Sequence, residues 1–171
     1  MTRWLDAEQQ KHWRAWLAAS RLLTEHLNRD LIASQGLSGA DYEILVRLSE
    51  APTRALRMSE LADKTLSSRS RLSHQVDRME AAGLVVRQEC PGDRRGALAV
   101  LTEAGFARLV AAAPDHVRAV RESLVDVLTD EEFAALGRAC AKVVAHLTGE
   151  EPTGSACGTG GTLDAAEAVT G

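Results

Sequence analysis

Between Met58 and Leu101 the hydrophobic pattern switches from a helical period to a β-branched, partly alternating one within one short stretch, an order of elements that few folds accommodate. Residues 58–65 (MSELADKT) predict a short amphipathic helix with Leu61 and Ala62 inward. Ser67 or Ser68 can cap a second helix running to Ala82, in which Leu72, Val76 and Met79 recur at spacings of four and three. That spacing buries one face and leaves Arg69, Ser70, Arg71, Ser73, His74 and Arg78 on or beside the others, so the outer surface is polar and cationic. Gly83 then stops the helix. Residues 84–90 read as a strand, residues 91–96 (PGDRRG) as turn chemistry, and residues 98–101 as a second strand. The expected product is a β-hairpin with Arg94 and Arg95 at its tip.

The flanks are helical. From residue 4 to about residue 34, Trp13, Trp16, Leu17, Leu23, Leu27 and Leu31 share one broad face with no Pro or Gly between them. A helix of roughly 30 residues extends about 45 Å, more than a small core requires, and a partner chain accounts for the excess. Gly36 stops it. Ser38 with Asp41 caps a helix carrying Tyr42, Ile44, Leu45 and Leu48, closed by Ala51 and Pro52. Thr102 caps the next helix, whose apolar face (Phe106, Leu109, Val110, Val117, Val120, Leu124, Leu128) continues past a kink expected at Pro114. Thr129 and Glu132 form a capping box for a last helix over residues 130–147, with Phe133, Leu136, Cys140, Val143, Val144 and Leu147 inward. Beyond Gly149 the Gly-, Thr- and acid-rich residues 150–171 carry few large apolar side chains, a composition that predicts disorder.

Composition supports a mainly α protein, since only 4% of the 171 residues are aromatic and the apolar side chains are mostly Ala, Leu and Val. No apolar run is long enough to span a membrane, and the first residues lack the apolar core of a signal peptide, so a soluble, cytoplasmic protein is expected. Cys90, Cys140 and Cys157 form no close pair, and His12, His26, His116 and His146 are scattered along the predicted helices without metal-ligand spacing, so neither a disulfide framework nor a metal site is indicated. With no local nucleophile–base motif and no Gly-rich phosphate loop, neither an enzyme nor a bound cofactor is expected. The net charge of −4 is unusual for a nucleic-acid binder, but residues 150–171 hold four acidic residues and no Lys or Arg, so the rest of the chain is neutral. Within residues 54–95, nine basic residues face six acidic ones.

Helix, short helix, tight turn, polar-faced helix and arginine-tipped hairpin make a winged helix-turn-helix plan, in which the second helix of the pair enters the DNA major groove. The run LADKTLSSRSRLSHQVDRMEAAGLVVRQECPGDRRGALAVLTEAG resembles the DNA-binding core of MarR-type transcriptional regulators. Its most specific part is Asp93 and Arg95 followed by Leu101, Thr102 and Gly105, which matches the wing pattern of that family. The flanking helices resemble its dimerisation region more weakly. The expected organisation is therefore a helical dimerisation region (1–34 and 103–149), a winged helix-turn-helix region (35–102) and an acidic tail (150–171).

Arginine can donate two hydrogen bonds to a guanine edge, so Arg69 and Arg71 at the start of an inserted helix are candidate base readers, supplemented by Ser70, Ser73 and His74. Ser67, Ser68 and the free N–H groups of the helix start suit phosphate oxygens. At the wing, a narrow minor groove attracts an inserted guanidinium, which points to Arg95. By resemblance, Asp93 orients that arginine and Arg94 lies nearer the phosphates. Arg78 is either a phosphate contact or a member of an ion-paired surface. Trp13 and Trp16 read as core or interface anchors rather than ligand stackers. Cys90, just before the wing, is positioned to report oxidation, although the peroxide-sensing members of the family carry their reactive cysteine near the first helix and this chain has none there.

The resemblance implies a homodimer binding double-stranded, pseudo-palindromic DNA, acting as a repressor and released by a small aromatic or phenolic effector. In that family the effector sits where the dimerisation and DNA-binding parts meet, a junction that Trp16, His26 and Tyr42 could face. The rival reading is a winged-helix module whose arginine face binds protein without specific DNA binding.

Overall fold

The structure, a computed structural model, describes residues 1–90 and 93–149, with the backbone alone at residues 93–95. The expectations for Pro91, Gly92, the side chains of Asp93, Arg94 and Arg95, and the tail at 150–171 lie outside the described residues. In chain order the elements are α1 (Ala7–Gln35), α2 (Gly39–Ser49), β1 (Ala55–Arg57), α3 (Met58–Lys64), α4 (Arg69–Ala81), β2 (Val85–Cys90), β3 (Asp93–Leu101) and α5 (Glu103–Val120). A π-helical turn (Arg121–Val125) and α6 (Asp130–Thr148) complete the described chain. The result is a mainly α winged helix-turn-helix. No helix among the described residues is long and apolar enough to cross a membrane.

The long first helix begins at Ala7 rather than at residue 4, because Asp6 takes the cap. Its carboxylate accepts from Gln9 N at 2.8 Å, and the Gln9 side chain accepts from Asp6 N at 3.1 Å. Gly36, at φ 64°, turns the chain out of the helix as expected. Ser38 and Thr129 both close capping boxes at the predicted places.

The core gathers Leu31 of α1, Ile44, Leu45 and Leu48 of α2, Leu61 of α3, Leu72, Val76 and Met79 of α4, and Leu109 and Ala112 of α5. Val85, Ala99 and Leu101 of the sheet close it from the other side. The expected hairpin is part of a three-stranded antiparallel sheet in the order β1-β3-β2, with Leu56 opposite Ala99 and Val86 opposite Val100. β1 has three residues, too few to show alternation, and forms by pairing with β3. The second hairpin strand also starts earlier than expected, at Asp93 rather than at residue 98, and pairs Asp93 with Cys90 across an irregularity between Glu89 and Cys90.

Two expected inward faces differ. The helix through Pro114 continues to Val120 and passes into the π-helical turn; Leu109 is buried on it, but Val117 is exposed. On α6 no residue is buried, and Phe133, Val143, Val144 and Leu147 are all exposed. On α1, Trp13, Trp16 and Leu17 are likewise exposed, leaving Leu31 as the buried residue. The apolar periodicity is real in each case, but no surface among the described residues covers it.

Two small residues join wing and helices. Thr102 caps α5 by accepting from Gly105 N at 2.9 Å, and its hydroxyl also lies 2.7 Å from the carbonyl oxygen of Gly83, just past the end of α4. At Gly105 a β-carbon would lie 2.1 Å from the Leu84 carbonyl oxygen, so this close approach excludes any larger residue.

Candidate nucleic-acid interface

The turn between α3 and α4 is set by backbone bonds and one unusual residue. Leu66 adopts φ 49°, a conformation that glycine takes readily and leucine seldom does, and Ser67 N donates to Ala62 O at 2.9 Å. Of the two serines offered as caps, Ser68 is the one used: its Oγ accepts from Arg71 N at 3.3 Å, while Ser67 Oγ donates to Thr65 O at 3.3 Å.

The first turn of α4 contains no acidic residue, so the positive end of the helix dipole stands uncompensated beside Arg69 and Arg71. Ser68, Arg69, Ser70, Arg71 and His74 are all exposed, while Leu72, Gln75, Val76 and Met79 are buried on the opposite side. This is an anion-attracting end with hydrogen-bonding side chains on a rigid element, suited to the edges of bases and their flanking phosphates.

Ser73 is placed differently. It is half-buried, and its carbonyl oxygen and Oγ accept from Arg87 Nη2 at 3.0 and 3.2 Å. The same guanidinium pairs with Asp77 at 2.8 Å, and Arg87 N donates to Glu80 Oε1 at 2.8 Å. Arg87 therefore ties β2 to three residues of α4 and offsets an acidic charge beside the cationic face. Arg78 is well exposed, with Nη2 4.0 Å from Asp41 Oδ1, at the outer limit of an ion pair, so its guanidinium stays open to solvent.

In the wing, β3 begins at Asp93, paired with Cys90, and its backbone at residues 94–96 runs between this pair and the Glu89–Ala97 pair, at the far end of the hairpin from α5. Cys90 is a buried free thiol, which shields it from a direct oxidant.

A cleft of about 770 Å³ opens between α1, α2 and α5, lined among others by Arg21, Thr24, Asn28, Glu43, Arg71 and His116. Arg71 thus lines the cleft from the helix that bears the cationic face. His116 packs on Tyr42 with ring centroids 4.4 Å apart, burial lowers its pKa, and its Nδ1 has no hydrogen-bond partner among the described residues. Burial raises the pKa of Glu43, with the neighbouring Arg47 opposing the shift. Of the three residues expected near this junction, Tyr42 is buried against His116, His26 lies 3.7 Å from Asp30, and Trp16 is exposed. The parts played by His116 and Arg87 escaped the sequence reading because each depends on contacts between elements distant along the chain.

The MarR family sequence model matches residues 35–96. The HTH-type transcriptional regulator MhqR of Bacillus subtilis is 31% identical over 67% of this chain and 76% of its own length. Among solved structures, AbsC, a MarR family transcriptional regulator from Streptomyces coelicolor, superposes with a TM-score of 0.83 at 48% identity, over 87% of this chain and all of that one. Sco3205, a second MarR family regulator from Streptomyces coelicolor, was solved in complex with DNA and superposes with a TM-score of 0.84 at 45% identity, over 85% of this chain and 92% of its own.

Proposed function

This chain belongs to the MarR family of winged helix-turn-helix transcriptional regulators, and from that premise we propose that it works as a homodimeric repressor on a pseudo-palindromic operator. DNA-binding regulation of transcription, rather than catalysis, is what the family does. The observation that carries the operator reading is the first turn of α4, where Ser68, Arg69, Ser70 and Arg71 stand exposed around an uncompensated helix N-terminus. The solved complex of Sco3205 with DNA supports the same use of the fold. In this reading Arg69 and Arg71 read base edges, assisted by Ser70 and His74, while Ser73, expected among them, instead accepts from Arg87; Ser68 with the helix-start N–H groups holds phosphates. Arg95 enters the minor groove, held by Asp93, with Arg94 near the backbone.

The uncovered apolar faces of α1 and α6 are the dimer surface, and a two-fold pairing there sets the two copies of α4 about 34–36 Å apart, one turn of DNA. The cleft beside α2 takes a small aromatic or phenolic effector: Tyr42 and His116 supply ring surface, Arg21 and Arg71 supply charge for an acidic group. Occupancy favours an arrangement of the two α4 copies that does not fit the operator.

The test is titration of the full-length chain against a labelled duplex from the intergenic region upstream of its own gene and against a scrambled duplex, each at two salt concentrations. A saturable preference for the native duplex that weakens steeply with salt is the expected result. Equal weak binding to both, at either salt, favours the protein-interaction reading.

A further inference from the structure

Gln75 is the one buried polar residue among the described residues, and it lies on the inner face of α4, away from the cationic side. Its Nε2 donates to Asp41 Oδ1 at 3.1 Å. The other carboxylate oxygen of Asp41 accepts from Ser38 N at 3.1 Å and Ser38 Oγ at 2.6 Å, closing the box that starts α2. One residue further, Gly39 N donates to Asn28 Oδ1 of α1 at 2.9 Å. A run of directional bonds therefore leads from α1, through the first turn of α2, to the middle of α4.

Both Asn28 and Gly39 line the cleft. The apolar contacts around Gln75, made by Leu72, Val76 and Met79, tolerate small slides and rotations, whereas a buried amide that loses its acceptor is left unsatisfied. The hydrogen bond thus specifies the rotation of α4 about its own axis more sharply than the packing does.

We propose that Gln75 and Asp41 form a latch that fixes α4 in its base-reading orientation and passes a displacement of α1 or α2 at the cleft to that helix. The proposal rests on the DNA-reading function above. Gln75 is a positioning residue; it acts through α4 and touches no base.

Gln75→Met keeps the side-chain volume and the net charge while removing the donor. The probe is the duplex that the wild-type, full-length chain enriches from a randomised library. Affinity of the variant for that duplex should fall about tenfold, with affinity for a scrambled duplex and the salt dependence unchanged, because the phosphate contacts are the same. Gln75→Glu sets a second carboxylate against Asp41, with Arg78 as the cation within reach of the pair. Its affinity relative to wild type should rise as the pH is lowered from about 7.5 to about 5.5 and the new carboxyl regains a proton to donate. A purely structural role moves melting temperature instead, and produces equal losses on both duplexes at every pH.

Hydrogen exchange of the α4 amides judges the latch without DNA: exchange over Arg69–Ala81 should quicken in Gln75→Met. A wild-type chain that enriches no duplex sinks the DNA-reading function alone. Unchanged α4 exchange, or wild-type sequence preference in Gln75→Met, overturns the latch.

Discussion

Gly105 has no room for a methyl group. The 2.1 Å separation between a β-carbon there and the Leu84 carbonyl oxygen means that Gly105→Ala must push α5 off the sheet, destabilising the chain by about 2–4 kcal/mol in urea unfolding. The Leu-Thr-x-x-Gly pattern thus has a packing basis: Leu101 is buried, Thr102 caps α5 while reaching the end of α4, and Gly105 lets the two meet. At the DNA-facing side the expected effects differ in kind. Arg71→Ala should weaken binding to the preferred duplex and relax preference at one base, a loss of about 1–3 kcal/mol, as read by competition with single-base variants. Arg95→Ala should reduce affinity most for duplexes whose wing-facing segment is A·T-rich. Equal losses on preferred and random DNA would exclude both base-reading roles. At this scale the sequence was informative where the determinant is local, as with the Ser68 cap. It was silent where the partner is remote: nothing near Ser73 announces that Arg87 occupies its oxygens.

Between elements, Tyr42 and His116 join α2 to α5, and their contact carries a pH dependence. Burial lowers the His116 pKa from its ordinary value of 6.5, so between the two values the unfolded chain binds the proton more readily. The stability this provides is present above 6.5 and is lost as the pH falls toward the lower, folded value. Melting temperature should therefore drop more steeply below that point in wild type than in His116→Phe, which keeps a ring against Tyr42; parallel curves would remove His116 from the account. The elements themselves were largely legible because their boundaries are chemical, marked by Ser38, Ser68, Thr102 and Thr129 at the starts and by Gly36 and Gly149 at two of the ends. β1 was not, since a three-residue strand is defined by its neighbour. The burial of α6 was misjudged for the opposite reason: periodicity reveals that a face needs covering but not which molecule covers it.

For the whole molecule, the proposed dimer surface is the exposed face of α6 with the N-terminal half of α1. Val144→Glu should shift the species seen in sedimentation from dimer to monomer and abolish tight operator binding, while leaving the helix-turn-helix folded; a wild-type chain that sediments as a monomer would contradict the dimer surface. Deleting residues 150–171 removes four negative charges and no positive ones, so nonspecific DNA affinity should rise at low salt with assembly unchanged.

The bond between Thr102 and the end of α4 also makes α5 a lever. The helix has 18 residues and packs along α1, so its arm is about 27 Å long, and a tilt of about 5° displaces one end by about 2 Å relative to the other. A displacement of that size exceeds the tolerance of a hydrogen bond to a base edge. The proposed regulation therefore needs no refolding. In the proposed effector response helix length sets the mechanical gain, so insertions or deletions in α5 that leave His116 in place would retune sensitivity without changing the cleft lining.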